Sequence, residues 1–261
     1  MQNNTFSGLF VGKNKVTLTK VNSTNTYLKD ALSKSAPFTE GTVIMAGEQF
    51  EGRGQTNNSW QSEPGKNLTF SILFNPVFLS VDKQFELNVA ICLAINDFLS
   101  KYIELPLKIK WPNDSYVGNK KIAGLLIENI IQGSLFKHAI IGIGLNVNQT
   151  DFPPSLKNVT SLKEILHTDY DLQCLLSEIC AAIEFRYLQL KSDKANLLFE
   201  EYHDKLYLKG EWNLFKIDGE MQKGKILGVT QEGYLKIEMA NNQTIRKFGL
   251  KEIEFINSGD L

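Results

Sequence analysis

The sequence has few of the features that mark disulfide-bonded, metal-binding or membrane-spanning proteins. Among its 261 residues are three cysteines, Cys92, Cys174 and Cys180, which stand in apolar helical patterns without metal-ligand spacing. No apolar run approaches the roughly 20 residues that a membrane helix needs, and the N-terminus lacks the basic and apolar regions of a signal peptide. We therefore expect reduced, buried cysteines, a cytoplasmic location and no membrane partner.

An excess of charge of one sign is also missing. The chain has 28 basic and 29 acidic residues, for a net charge of −1, so no overall field draws it to nucleic acid. His138, His167 and His203 are scattered and fit neither a metal centre nor a Ser/His/Asp triad. The composition, 43% hydrophobic and 22% charged, is that of a globular protein with one large or two modest domains.

Hydrophobic periodicity predicts a mixed α/β region followed by a small all-β region. Strands are expected at 14–21, 41–48, 68–74 and 139–148, and helices at 82–100, 171–190 and 193–206. The polar cluster at 22–25 precedes a helical pattern and is typical of a helix N-cap, which could be its whole role. From Glu211 onward, short alternating strands separated by turn residues favour a small barrel, with a domain boundary near 208–212.

A predicted β-hairpin is the most informative local pattern. An apolar run ends at Pro112, which lacks an N–H and cannot continue a central strand, and a Gly-Asn turn then leads into a second apolar run. The hairpin would gather four polar residues at one end: Lys110, Asn113, Asp114 and Lys121. Cations beside a carboxylate suit phosphate or carboxylate chemistry, although ordinary hairpin polarity explains the pattern equally well.

A glycine-containing loop is a second candidate for anion binding. Arg53 stands between Gly52 and Gly54, where its guanidinium can fork onto a carboxylate or phosphate without steric interference. Trp60 follows and could line an apolar ligand. The loop is neither a P-loop nor a dinucleotide fingerprint. Two further glycines, at 142 and 144, interrupt an apolar strand and indicate that another backbone or a ligand approaches closely there.

The ordered set of motifs resembles that of biotin–protein ligases. The motifs are Ser23-Thr24-Asn25, Gln49, GRGQ at 52–55 with Trp60, KWPND at 110–114, KKIAGLLIE at 120–128 and GIGLNVN at 142–148. KWPND followed at a fixed distance by the KIAGLL pattern is highly specific, and the resemblance covers residues 20–260. It implies an α/β fold with a mixed, largely antiparallel sheet and helices on one side, over 1–209, then an SH3-like C-terminal barrel over 210–261.

The resemblance also implies a two-step reaction. Biotin's carboxylate attacks the α-phosphate of ATP to give biotinyl-5′-AMP, and a lysine of a biotin carboxyl carrier domain then displaces AMP. Two anions must approach each other, so cations must offset their repulsion. Mg²⁺ held mainly by the phosphates is expected for the same reason.

Residue roles carry over from the matching motifs. The biotin contacts implied are Ser23, Thr24, Asn25, Gln49, Gly52, Arg53, Gly54, Lys121 and Gly124. The nucleotide contacts implied are Arg53, Gln55, Trp60, Lys110, Asn113, Lys121 and Asn146. Lys121 resembles the essential lysine that bridges the biotin carboxylate and the α-phosphate, Arg53 belongs to the loop that closes over the adenylate, and Asp114 orients or deprotonates the incoming amine.

Three other functions compete with this interpretation. A lipoate or octanoate ligase or transferase shares the catalytic fold but lacks the KWPND sequence. A biotin-binding sensor needs neither Lys121 nor Asp114. A DNA-binding repressor needs a winged helix, and only about 20 residues precede Ser23. The resemblance therefore implies a monofunctional ligase without a nucleic-acid partner, as a monomer or weak homodimer.

The phosphate loop departs from the family pattern GRGRxGR. Gln55 replaces a second arginine, and Asn57-Asn58 replace Gly-Arg. Because Gln55 can hydrogen-bond but supplies no charge, we expect the loop to retain the adenylate weakly and to label amines less selectively than Gln55→Arg. Mass spectrometry of bystander lysines tests this expectation. Equal off-target labelling by the two proteins would count against it and would favour compensation by another cation, such as Lys66.

Overall fold

A seven-stranded sheet forms the larger part of the protein, whose computed structural model describes residues 8–34, 37–55, 58–133 and 135–256. Its strands are β1 (Lys15–Val21), β2 (Val43–Gln49), β3 (Leu68–Phe74), β4 (Leu107–Lys110), β5 (Asp114–Val117), β6 (Lys120–Gln132) and β7 (Leu135–Leu145). They are ordered β1-β2-β3-β7-β6-β5-β4. The β1–β2 pair is parallel and the other pairs are antiparallel, so the predicted mixed, largely antiparallel sheet is confirmed.

Helices cover both faces of this sheet. They are α1 (Thr24–Ser33), α2 (Gln84–Leu99), α3 (Leu162–Leu166), α4 (Leu172–Lys191) and α5 (Ala195–Asp204), with a 3₁₀ turn at Val81–Lys83. Helices α2, α4 and α5 bury the large core against one face. Helix α1 packs on the opposite face through Leu28, which meets Ile44, Leu73 and Ile140. The resemblance implied helices on one side only, and α1 is the exception.

The strands divide their side chains between these two faces with a period of two. In β3, Phe70 and Ile72 join the core under α2, whereas Leu73 packs under α1. All seven residues of β3 are buried because the strand lies inside the sheet, between β2 and β7, and is covered on both faces. The α1 face also carries small residues, which leave room for the cavity described below.

Helix α2 is more deeply buried than its sequence pattern predicts. Periodicity places the apolar residues on one stripe, but 13 of the 16 residues of α2 are buried. The helix lies between the sheet and the helices α4 and α5, so it has little solvent-exposed face. Fully buried Asn96 shows how complete this enclosure is.

A second sheet of five strands follows α5. Its strands are β8 (Trp212–Ile217), β9 (Glu220–Val229), β10 (Leu235–Met239), β11 (Ile245–Phe248) and β12 (Ile253–Phe255), ordered β11-β10-β9-β8-β12. All of the pairs are antiparallel, and the turn at Asp218-Gly219 has positive φ at both residues, as a tight hairpin requires. The predicted C-terminal β region is confirmed, and the boundary between 209 and 210 stays a prediction.

The two sheets are joined by hydrogen bonds and a shared core. The indole N–H of Trp111 donates to the carbonyl of Gly233 at 2.9 Å. His203 of α5 contacts the backbone of Val229 through Nε2, and burial lowers the pKa of this imidazole. Side chains from the second sheet belong to the same hydrophobic cluster as those of the first. Over the described ranges, no helix is long and apolar enough to cross a membrane.

Candidate active site

A cavity of about 520 Å³ opens on the α1 face of the larger sheet. Its walls come from the start of α1, the loop after β2, the β4–β5 turn, β6, β7 and the C-terminal strand β12. Twelve of the residues that the resemblance assigns to catalysis or ligand binding line it: Ser23, Thr24, Asn25, Gln49, Arg53, Gly54, Gln55, Trp60, Asn113, Asp114, Lys121 and Gly124. Residues far apart in the chain therefore meet in one cavity.

One wall of the cavity is a connected polar network. Gln49 accepts hydrogen bonds through Oε1 from the Thr24 N–H at 2.8 Å and the Thr24 hydroxyl at 3.0 Å. The Ser71 hydroxyl lies 2.6 Å from Thr24 Oγ1 and donates to Asn25 Oδ1 at 2.5 Å. Because Oε1 of Gln49 already accepts from Thr24, its amide N–H groups are the part left to donate to a ligand carbonyl.

The polar cluster at the start of α1 serves this network and not the helix end. Ser23 stands at the N-cap position, but its side chain makes no capping hydrogen bond. Ser23, Thr24 and Asn25 are each at most 4% exposed. Polar side chains that are buried need partners, and Thr24 and Asn25 find theirs across the sheet. The capping-only interpretation of this cluster is therefore wrong.

The two glycines of β7 make room for the side chains above them. A Cβ on Gly142 would collide with the Asn25 amide, and a Cβ on Gly144 would collide with the Trp60 indole. Both glycines lie on the cavity face, opposite Ser71 and Thr69 in the neighbouring strand. A close approach is found at both glycines, but the approaching groups are the side chains of Asn25 and Trp60 and not the backbone or ligand that the sequence predicts.

Lys121 and Asp114 form an ion pair in the cavity. Lys121 Nζ lies 2.8 Å from Asp114 Oδ2, and both side chains are about one-quarter exposed. Asp114 lies opposite Gly124 in the β5–β6 ladder, and a Cβ on Gly124 would come within 3.2 Å of both members of the pair. Gly124 therefore leaves the space that the ion pair occupies.

A β-bulge turns Lys121 toward Asp114. The β5–β6 register shifts between Ser115 and Tyr116, so that Ile122 is the extra residue. Ile122 and its neighbour Ala123 both join the core on the opposite face. Without this shift, Lys121 and Gly124 would point to opposite faces of the strand, since they are three positions apart and side chains alternate between the faces.

The turn that carries Asp114 is anchored from behind. The carbonyl of Pro112, after a cis Trp111–Pro112 peptide bond, accepts from Asn88 Nδ2 at 2.9 Å and from the Tyr202 hydroxyl at 2.8 Å. Burial raises the pKa of Tyr202, which keeps the hydroxyl proton available for this bond. Asn113 Nδ2 donates to the carbonyl of Leu125 in β6. Asn88 lies on α2 and Tyr202 on α5, so the core side of the sheet fixes the geometry of the cavity side.

The loop after β2 folds over the cavity. Arg53 bridges to Ser59, and the Trp60 N–H donates to the carbonyl of Gly52 at 2.9 Å. The Trp60 indole packs on Gly144 of β7, and Lys121 Nζ stands 5.6 Å from its ring centroid. The indole N–H of Trp60 is buried without a partner. Asn57, part of the departure from the family pattern, lies outside the described residues, as does Thr56.

Three residues with implied ligand contacts lie outside the cavity lining. Gly52 is held under the Trp60 carbonyl. Lys110 Nζ stands 5.2 Å from the ring centroid of Tyr116 and 5.0 Å from that of Phe255, which lines the cavity. Buried Asn146 donates through Nδ2 to the carbonyl of Thr160 at 3.0 Å. Their ligand contacts stay predictions.

Other residues of the site were missed in the sequence. Glu128 accepts from Arg53 at 2.6 Å and from Asn25 at 2.9 Å. Ser71 completes the polar network, and β12 closes part of the cavity. Glu128 had a visible signal, because it is a carboxylate two residues beyond Leu126 on the cavity face of an otherwise apolar strand. The position of β12 follows only from how the two sheets pack.

Comparisons with known proteins agree on the family. The model of the "Biotin/lipoate A/B protein ligase family" matches residues 18–146. The chain is 30% identical over 240 residues to the bifunctional ligase/repressor BirA of Bacillus subtilis, covering 90% of this chain and 71% of that protein. It is 24% identical to the human biotin–protein ligase, covering 87% of this chain and 32% of that protein.

A solved structure gives the same answer. The biotin protein ligase from Aquifex aeolicus in complex with biotin and ATP matches with a TM-score of 0.78 at 28% identity, covering 94% of this chain and 100% of that one. The ligase of Leishmania major, at 21% identity and a TM-score of 0.62, shares the fold. The chain belongs to the biotin–protein ligase family, and it is an enzyme.

The packing of Trp60 on Gly144 generates a prediction. Gly144→Ala places a methyl group where the indole lies, so the loop after β2 must lift and one wall of the cavity is lost. We expect biotin affinity to fall on the order of tenfold, as for overpacking that costs about 1–3 kcal/mol. Titration calorimetry measures the change. Gly249→Ala is the control, since its Cβ would meet nothing closer than 3.5 Å; equal affinities for the two variants would contradict the role given to Gly144.

Proposed function

We propose that this cavity carries out both steps of protein biotinylation: formation of biotinyl-5′-AMP from biotin and ATP, and transfer of biotin to a lysine of a carrier domain. The observation that carries the proposal is the Lys121–Asp114 pair, 2.8 Å apart, in the same cavity as the Gln49–Thr24–Asn25 network. Biotin has a carboxylate and a neutral polar head. Lys121 is a cation that can meet two anions, and the network offers amide and hydroxyl groups to the neutral head.

In the first step, a biotin carboxylate oxygen attacks the α-phosphorus of ATP, the bond to the bridging oxygen breaks and pyrophosphate leaves. The amide of Gln49 donates to the ureido carbonyl, while Thr24 and Asn25 hold the head of the molecule. Lys121 lies between the carboxylate and the α-phosphate and offsets the negative charge that builds up on phosphorus. Arg53 contacts the phosphates from the loop, and Trp60 packs beside the nucleotide.

In the second step, the ε-amine of the carrier lysine attacks the carbonyl carbon of the mixed anhydride, AMP leaves and the nitrogen loses a proton. Asp114 is the residue placed to orient this amine and to accept the proton. Its partner Lys121 already holds the carboxylate in position through the 2.8 Å contact. Asp114 therefore exchanges its contact with Lys121 for one with the acceptor lysine, whose proton it takes, so that the neutral amine attacks the anhydride.

Mg²⁺ would enter this site bound to the nucleotide. Within the described part of the chain, no three His, Cys, Asp or Glu side chains are grouped as metal ligands, and Asp114 is paired with Lys121. The phosphates would therefore supply most of the ligands. When bound, the ion neutralises phosphate charge.

The partner that we propose is the biotin carboxyl carrier domain of a biotin-dependent carboxylase. Cys92, Cys174 and Cys180 are free thiols, and Cys92 and Cys180 are buried as expected, but Cys174 is exposed on α4, so the expectation of burial is wrong for that residue. Burial raises the pKa of Cys180 to about 12. Buried thiols with a raised pKa are unreactive and suit a reducing cytoplasm.

A monomer or weak homodimer stays our expectation for the oligomeric state.

Mass spectrometry of bound species tests the proposal. The purified protein is incubated with ATP, Mg²⁺ and either biotin or lipoate, and a biotin carboxyl carrier domain is then added. We expect a biotinyl-adenylate mass that disappears as the carrier gains biotin. A lipoyl-adenylate would instead support the alternative of a lipoate ligase, and biotin binding without any adenylate would support a sensor.

Lys121→Ala should nearly abolish adenylate formation. Its loss leaves Asp114 and two substrate anions without their shared cation, and the rate should fall on the order of a hundredfold or more. Pyrophosphate release measures the rate. Lys120→Ala is the matched control, because Lys120 is the adjacent lysine of β6 and is exposed. Near-normal turnover by Lys121→Ala would remove this residue from the mechanism.

A further inference from the structure

The Glu128 carboxylate links the polar network, through Asn25, to the loop after β2, through Arg53. Its Oε2 accepts from Asn25 Nδ2 at 2.9 Å and from Arg53 Nη2 at 2.6 Å, and its Oε1 lies 4.0 Å from Lys29 Nζ. The Glu128 side chain is 21% exposed, so solvent screens these contacts only in part. Under the proposed function, Asn25 holds biotin and Arg53 contacts the phosphates.

The contact with Arg53 conflicts with phosphate binding. A carboxylate and a phosphate seek the same guanidinium N–H groups, and they repel each other when both are close. Arg53 is 42% exposed and stands between two glycines, so its side chain can turn from one acceptor to the other. Glu128 keeps Asn25 and Lys29 as neighbours when Arg53 leaves.

The contact with Asn25 has a different consequence. Asn25 Nδ2 donates to Glu128 at 2.9 Å and to the carbonyl of Leu126 at 3.4 Å, so Oδ1 points to the Ser71 hydroxyl. Glu128 is the nearer of the two acceptors that orient this amide and, through it, the donors and acceptors of the polar network.

We propose that Glu128 is a positioning residue with two separable effects: it holds Arg53 in the ligand-free site in competition with the nucleotide, and it orients Asn25 for biotin. The inference rests on the proposed function. It predicts that the charge of Glu128 lowers nucleotide affinity, whereas its oxygen atoms support biotin affinity.

Two variants separate these effects. Glu128→Gln removes the charge but keeps a carbonyl oxygen that accepts from Asn25. We expect it to tighten the Kd of α,β-methylene-ATP, measured by calorimetry with saturating biotin, about threefold to tenfold. Its Kd for biotin should change less than about twofold. Glu128→Ala removes both contacts, so it should tighten nucleotide binding similarly and weaken biotin binding about fivefold.

Two controls test whether Glu128 affects nucleotide binding through Arg53. Glu238→Gln breaks the Lys225–Glu238 pair, which has the same 2.6 Å separation and a similarly exposed glutamate but lies in the second sheet; it should change neither Kd. In an Arg53→Ala background, Glu128→Gln should no longer tighten nucleotide binding, because the competition needs the guanidinium. If Glu128 only stabilised the fold, its replacement would weaken the binding of both ligands and could not tighten nucleotide binding.

The outcomes distinguish the two proposals. Weaker or unchanged nucleotide binding by Glu128→Gln, with biotin binding and adenylate formation intact in the wild type, overturns this inference alone. Tightening that persists without Arg53 also overturns it. Absence of biotinyl-adenylate from the wild type overturns the proposed function and this inference with it. If Glu128→Gln does not fold, Glu128→Ala gives the same nucleotide comparison.

Discussion

The ion pair between Lys121 and Asp114 is the interaction on which the candidate site depends. A lysine and an aspartate on adjacent strands meet only if both side chains point to the same face and nothing stands between them. The β5–β6 bulge meets the first condition and Gly124 meets the second. The Pro112 carbonyl, held by α2 and α5, keeps the turn before Asp114 in place. The hydrophobic core thus sets the position of a charge on the opposite side of the sheet.

The polar wall follows a different constraint, which is that buried polar groups must find partners. Thr24 and Asn25 are almost fully buried, and each bonds to residues of other elements. Glycines at 142 and 144 bring the sheet close enough for Asn25 and Trp60 to pack directly on it. The hydrogen bonds within this network therefore also determine which donors and acceptors remain available to a ligand.

Much of this arrangement could be predicted from sequence, for identifiable reasons. KWPND and KIAGLL lie in neighbouring strands joined by a short turn, so their meeting is a local event that spacing reveals. Gly142 and Gly144 indicate close approach, because a glycine weakens a central strand and often marks a position where another group packs closely. The partners of these glycines could not be named, since Asn25 and Trp60 arrive from distant parts of the chain.

Other features depended on packing that no motif records. The bulge shifts the register by one residue and leaves the apolar pattern of β6 almost unchanged, so the hairpin pattern placed Lys121 near Asp114 but could not show that the two side chains share a face. Buried α2 looked amphipathic because its second layer of neighbours, α4 and α5, comes some 70 to 120 residues later in the chain. Glu128 was overlooked because its partners Arg53 and Asn25 are 75 and 103 residues away.

The placement of the three tryptophans gives the protein a built-in optical reporter. Trp60 and Trp111 line the cavity, whereas Trp212 lies on the second sheet, 44% exposed and stacked beneath Lys225. An aqueous quencher therefore reaches Trp212 whatever the cavity contains, but reaches Trp60 only while that cavity is open. The intrinsic emission separates into a constant component and one that follows occupancy, so ligand entry can be watched in the unlabelled wild-type chain.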